Sequence, residues 1–161
     1  MVTIFVGGVA ELWQGDLDLG RVAAGRLVNE DLGPGVLVED LHYGAVAVAQ
    51  RLHELQPEAL VLIGATARGR SPGSVQRRVV GTPAITPEEA QAAVGDAVTG
   101  YVTIDLVIEV AWALGSLPDR TIAIEVEPAD TSLGVHLSPL ARSGLETALD
   151  LVRDELLVLR P

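Results

Sequence analysis

An apolar run from Val2 to Val6 ends in Gly7-Gly8, passes into a loop carrying Glu11, Asp16 and Asp18, and reaches Gly20 at the head of an amphipathic stretch. A strand feeding a glycine-bearing loop feeding a helix is the opening unit of an open α/β sheet. In such sheets the loops at the carboxyl ends of the strands build the site. Function must therefore be read from what these loops carry and from what they lack.

The downstream pattern repeats that unit. Gly20 to about Asn29 has helical spacing, with Val22, Ala23, Leu27 and Val28 on one face. Leu32-Gly33-Pro34-Gly35 is a turn, and Val36–Glu39 is a short second strand. Tyr43 to about Leu55 reads as a second helix, with Val46, Val48, Ala49 and Leu52 inward. Ala59–Gly64 is unbroken apolar sequence, as a strand buried on both faces requires. After a Gly/Pro loop at 65–73, Ser74–Val80 reads as a fourth strand near an edge, open to an antiparallel orientation. Thr86-Pro87-Glu88-Glu89 is a helix start, and Gly95 and Gly100 interrupt that helix. Val102–Leu114 is a strongly apolar helix with Trp112 in its core, closed by Gly115 and Pro118. Thr121–Val126 is the last strand. Ser138-Pro139 caps a final helix to about Leu159, with Leu140, Leu145, Ala148, Leu149, Val152 and Leu156 in one stripe. This alternation predicts one domain over residues 1–161, a three-layer α/β/α sandwich around a mostly parallel five-stranded sheet.

Composition narrows the chemistry. There is no cysteine, so neither a disulfide framework nor a thiolate metal site is available. No basic stretch precedes the first apolar run, which is too short to span a bilayer, so a soluble cytoplasmic protein without membrane contact is expected. The net charge of −11 argues against nucleic-acid binding, which needs a basic face. Every basic residue is Arg, and residues 59–87 hold Arg68, Arg70, Arg77 and Arg78 with no acid. That segment is either a solvated loop and strand edge or a docking patch for an acidic partner surface, with Arg68 and Arg70 as contacts.

The order and spacing of three stretches carry a resemblance. The first is Ile4-Phe5-Val6-Gly7-Gly8-Val9 through Gly15-Asp16-Leu17-Asp18-Leu19-Gly20. The second is Val38-Glu39-Asp40 to Gly44, then Leu60–Ile63 and Ser71-Pro72-Gly73-Ser74. The third is Ile122-Ala123-Ile124-Glu125-Val126-Glu127-Pro128, then Gly134, then Leu137-Ser138-Pro139. Together they resemble the hydrogenase maturation endopeptidases, which remove a C-terminal tail from the large subunit of nickel-iron hydrogenases. The resemblance implies their phosphorylase-like α/β/α fold and a site with three metal ligands. Those ligand positions fall on Leu17, on Ala65 (Gly64 with a register slip) and near Thr103, and only Asp16 keeps its matched acid. Leu and Ala offer no lone pair to nickel or zinc, and no His lies between His53 and His136.

Several cleft residues remain to be placed. Glu11, Asp16, Asp18, Asp40 and His42 are candidates for a shifted ligand set. Asp16 and Asp18 are equally readable as acids favoured by a helix N-terminus, each by roughly 0.3–1 kcal/mol. Asp40 reads as a substrate-contacting group, and Trp13 as a partner-facing anchor. Ser71, Ser74, Thr66 and Thr103 lack the surroundings of a nucleophile, and Gly7-Gly8 lacks a dinucleotide fingerprint. Two main readings survive. One is a non-catalytic relative, with no cofactor, that binds a hydrogenase large subunit or maturation factor. The other is a metal-dependent endopeptidase using nickel or zinc at a displaced site, so whether the chain is an enzyme stays open here. A repurposed α/β binding protein unconnected with hydrogenases is a third possibility.

Overall fold

The computed structural model describes residues 1–100 and 102–160; Tyr101 and Pro161 lie outside the described residues. Five strands, β1 (Ile4–Val9), β2 (Val36–Leu41), β3 (Ala59–Ala65), β4 (Val75–Val80) and β5 (Arg120–Val126), form one sheet in the order β2-β1-β3-β5-β4. β1, β2, β3 and β5 are parallel, and β4 closes one edge antiparallel to β5. The helices are α1 (Leu19–Leu27), α2 (Ala45–Leu55), α3 (Pro87–Ala97), α4 (Ile104–Ala113) and α5 (Pro139–Leu159). α1 and α5 cover one face through Leu19, Leu27, Leu149 and Leu156, packed on Val6, Val61 and Ile124. α2, α3 and α4 cover the other through Val48, Leu52, Val107 and Val110, packed on Phe5, Leu60 and Leu62. This is the expected three-layer sandwich. Each fully buried large apolar side chain contributes about 1.5–3 kcal/mol, so the paired layers hold the sheet from both sides.

The glycine pair of the first strand serves packing. A Cβ on Gly8 would lie 1.9 Å from the Gly20 carbonyl oxygen, and one on Gly20 would lie 2.1 Å from that of Val9. The start of α1 therefore presses directly on the end of β1, bringing the first loop down onto the sheet's carboxyl edge.

Several boundaries and faces differ from the sequence reading. β2 runs on to Leu41 because Asp40 and Leu41 stay in register with Gly8 and Val9. α2 starts at Ala45, after Gly44 at φ 102°. α4 starts at Ile104, where the Thr103 hydroxyl accepts the Leu106 N–H at 3.1 Å. Trp112 is not core: it is 42% exposed, because Val107, Val110 and Ala111 take the inward face of α4. Val28 is exposed just past the end of α1. Leu140 is exposed in the first turn of α5, whose buried stripe starts at Ala141. Among the described residues no helix is long and apolar enough to cross a membrane.

Candidate functional site

The β1–α1 loop and the β5–α5 loop meet at the carboxyl edge of the sheet, and Asp16 joins them. Its side chain is fully buried. Oδ2 accepts the backbone N–H of Ala129 at 2.8 Å and of Asp130 at 2.9 Å, and Oδ1 accepts that of Ser138 at 2.7 Å. The Ser138 hydroxyl donates to Oδ2 at 2.8 Å and caps α5 by accepting the Ala141 N–H. Burial opposes the charge, but these donors together outweigh it and hold the carboxyl below the usual aspartate range. Gly15, at φ 58°, lies so close to the second loop that a Cβ would meet the Asp130 oxygen at 2.6 Å. A bridge between Gln14 and Gly134 completes the junction. Asp18 is also buried, its carboxylate held by Arg21 at 2.5 Å. Asp16 and Asp18 therefore face the scaffold and are not brought to the cleft.

A second charged cluster lies across the same edge. Glu125 on β5 is 1% exposed and pairs with Arg68 at 2.7 Å, Arg78 at 3.2 Å and Arg70 at 3.8 Å. Arg68 also reaches Asp105, in the first turn of α4, through two bonds of 2.8 and 2.9 Å. The Glu127 carboxylate accepts the backbone N–H groups of Arg68 and Gly69. Burial raises the carboxyls of Asp105 and Glu125, but Arg68 and Arg78 more than reverse that and hold both below their ordinary values. The guanidinium of Arg68 is pushed up by the same partners. Arg77 points to the opposite face and pairs with Glu155 on α5. The arginine-rich, acid-free segment is thus neutralised by acids distant in sequence.

Between these clusters lies a cavity of about 270 Å³. It is bounded by Val9 at the end of β1, Leu17 in the turn Gly15–Asp18, Ala65 and Thr66 at the end of β3, and Val102 and Thr103 before α4; Glu11, Arg68 and Asp105 complete its rim. An open depression next to it carries Leu12, Gln14 and His42. His42 Nδ1 lies 3.0 Å from Asp40 Oδ1, and both residues are partly exposed. Glu11 and His42 thus share the depression, with Asp40 behind the imidazole. Trp13 is 63% exposed at φ 63°, held there as its carbonyl accepts the Gly134 N–H. Leu133 and Val135, which flank Gly134 in sequence, are exposed as well.

No protein-family model matches the chain, and no curated protein matches its sequence. Solved structures do. The [NiFe] hydrogenase maturation protease HycI from Thermococcus kodakarensis superposes with a TM-score of 0.70 at 20% identity, covering 96% of this chain and 92% of its own. The hydrogenase maturating endopeptidase HybD from E. coli gives 0.69 at 19%, covering 98% and 93%. A hydrogenase 2 maturation peptidase from a Thaumarchaeota archaeon gives 0.68 at 18%, covering 96% and 97%.

This is the hydrogenase maturation protease fold. Within it, the positions that the resemblance assigns to metal ligands, Leu17, Ala65 and Thr103, do converge on one cavity. Their chemistry does not fit a nickel or zinc ion: one isobutyl group, one methyl group, and a hydroxyl already engaged as a helix cap. Among the described residues, no three His, Asp or Glu side chains come together to hold a metal elsewhere. Asp16 and Asp18 are committed to the scaffold, and of the candidate acids Glu11 shares the depression with the Asp40–His42 pair. Sequence reasoning missed Glu125 and Asp105 as parts of the site and weighed Thr66 only as a nucleophile. Glu125 was legible as an acid in an otherwise apolar strand, but nothing local pointed to its arginine partners.

Proposed function

We propose that this chain is a non-catalytic member of the hydrogenase maturation protease fold, an assembly factor that holds a nickel-iron hydrogenase large subunit or a maturation factor. The observation that carries the reading is the convergence of Leu17, Ala65 and Thr103 on one cavity without a carboxylate or imidazole among them. A hydrolytic metal needs protein ligands and an open position for water; Leu17 and Ala65 offer no lone pair, and the Thr103 hydroxyl is uncharged and already accepts the Leu106 N–H. The surrounding cleft stays open, and its walls are fixed by the Asp16 junction and the Arg68–Glu125 cluster. A preformed cleft without a hydrolytic centre binds and does not cut. Trp13 stands beside it as an exposed aromatic of the kind that anchors protein interfaces.

Mixing the protein with a nickel-loaded hydrogenase large-subunit precursor tests this. A complex on size-exclusion chromatography, with the precursor's C-terminal tail intact by mass spectrometry, is the expected result. Release of the tail would overturn the non-catalytic reading, and failure to associate would overturn the choice of partner.

A further inference from the structure

The sheet ends on β4, and that edge is built unlike the other. All six side chains of β2, at the opposite edge, are buried or half-buried. On β4, Gln76, Arg77 and Val79 are exposed, Val79 by 65%. The Ser74 carbonyl accepts the Glu127 N–H at 2.9 Å, and Val75–Val80 continue this antiparallel pairing along β5. Backbone groups of an antiparallel strand turn alternately towards and away from their neighbour. Those of Gln76, Arg78 and Val80 therefore face β5, and those of Val75, Arg77 and Val79 face out. The Gln76 side-chain amide accordingly reaches the Arg77 carbonyl, to which it donates at 3.3 Å.

Free sheet edges are ordinarily guarded by charge. Arg77 and Arg78 stand in the right place for that, but both are engaged within the chain. Arg77 pairs with Glu155 on α5, and Arg78 pairs with Asp105 and Glu125. In a chain of net charge −11, these cations on β4 each have an anion beside them, so the edge is open without being repulsive. Symmetry then bears on the occupant, because outward backbone groups must meet outward backbone groups. A two-fold axis through Arg78 would set Arg78 against Arg78 and Val79 against Arg77. An axis through Gln76 would set Val75 against Arg77. An axis through Arg77 sets Val75 against Val79 and Gln76 against Arg78, and each Arg77 facing its twin carries its own Glu155. The strand is self-complementary in that one register. We propose that β4 pairs with β4 of a second copy of this chain, antiparallel about a two-fold axis at Arg77, so that the two sheets become one. This surface does not depend on whether the cleft is catalytic.

Sedimentation of the full protein at rising concentration tests the proposal, and a dimer is the expected result. Val79→Lys is expected to weaken the dimer by roughly tenfold, because two Val75–Val79 pairs are lost per dimer. Val79 is exposed, so the Tm of this variant should stay unchanged. Val28→Lys, at an exposed apolar residue far from β4, should leave the dimer as it is. The chain has no cysteine, so the register can be read by cross-linking. Val75→Cys mixed with Val79→Cys should form a disulfide between chains under oxidation, while neither variant alone should, since only the mixed pair is opposed. A monomer at every concentration would overturn the proposal and leave the edge to a strand of another protein. A dimer indifferent to Val79→Lys, or weakened equally by Val28→Lys, would overturn this face. Cross-linking as strong in either variant alone as in the mixture would overturn the register.

Discussion

Two charged clusters brace the same edge of the sheet by different means. At the Asp16 junction a single buried carboxylate is satisfied by neutral donors, the N–H groups of Ala129, Asp130 and Ser138 and the Ser138 hydroxyl. At the Glu125 cluster the buried carboxylate is satisfied by cations, chiefly Arg68 and Arg78. The first fixes backbone to backbone, so one side chain decides the path of two loops. The second spreads the task over several flexible side chains, each of which partly covers for another. The cavity lies between them and takes its shape from both.

Breaking the junction has the largest expected effect. Asp16→Ala leaves several donors without an acceptor and should cost about 3 kcal/mol in urea unfolding. Arg68→Met should cost less, about 2 kcal/mol by the same measurement, because Arg78 still reaches Glu125 at 3.2 Å. A cost for Arg68→Met above that for Asp16→Ala would reverse the comparison. Acid sharpens it. Asp16, Asp105 and Glu125 all hold their protons less tightly folded than unfolded. As pH falls below about 4 the unfolded chain takes up protons first, so the stabilisation present at neutral pH is lost progressively towards the lowered folded values. Unfolding measured from pH 6 to pH 2 should show this loss, with a smaller pH dependence in Asp16→Ala. Arg70→Ala is the smallest change. Its pair with Glu125 is long, at 3.8 Å, and the shift in Tm should correspond to less than about 0.5 kcal/mol.

The sheet was legible because its signals are local. The apolar run Ala59–Gly64 fits a strand covered on both faces, and Ser138-Pro139 fits a capped helix start, and both form as read. The face of Trp112 was not legible, since α4 is apolar nearly all round and its orientation is set by α2 and the sheet. The site divides in the same way. That Leu17, Ala65 and Thr103 would meet followed from the resemblance, which assigned all three to one site. That Asp16 would turn away from the cleft did not, because its partners lie more than a hundred residues later in the chain. Arg68 likewise reads as a free cation until Asp105 and Glu125 are brought against it.

The central proposal is that this fold is kept without the metal centre. Calorimetry of nickel and zinc binding tests it most directly, on metal-free protein beside a Leu17→Glu/Ala65→Asp/Thr103→His variant that returns a carboxylate or imidazole to each position. The account predicts no stoichiometric binding by the unaltered protein and one ion bound by the variant. One ion bound tightly by the unaltered protein would contradict it and return the chain to the metal-dependent peptidases.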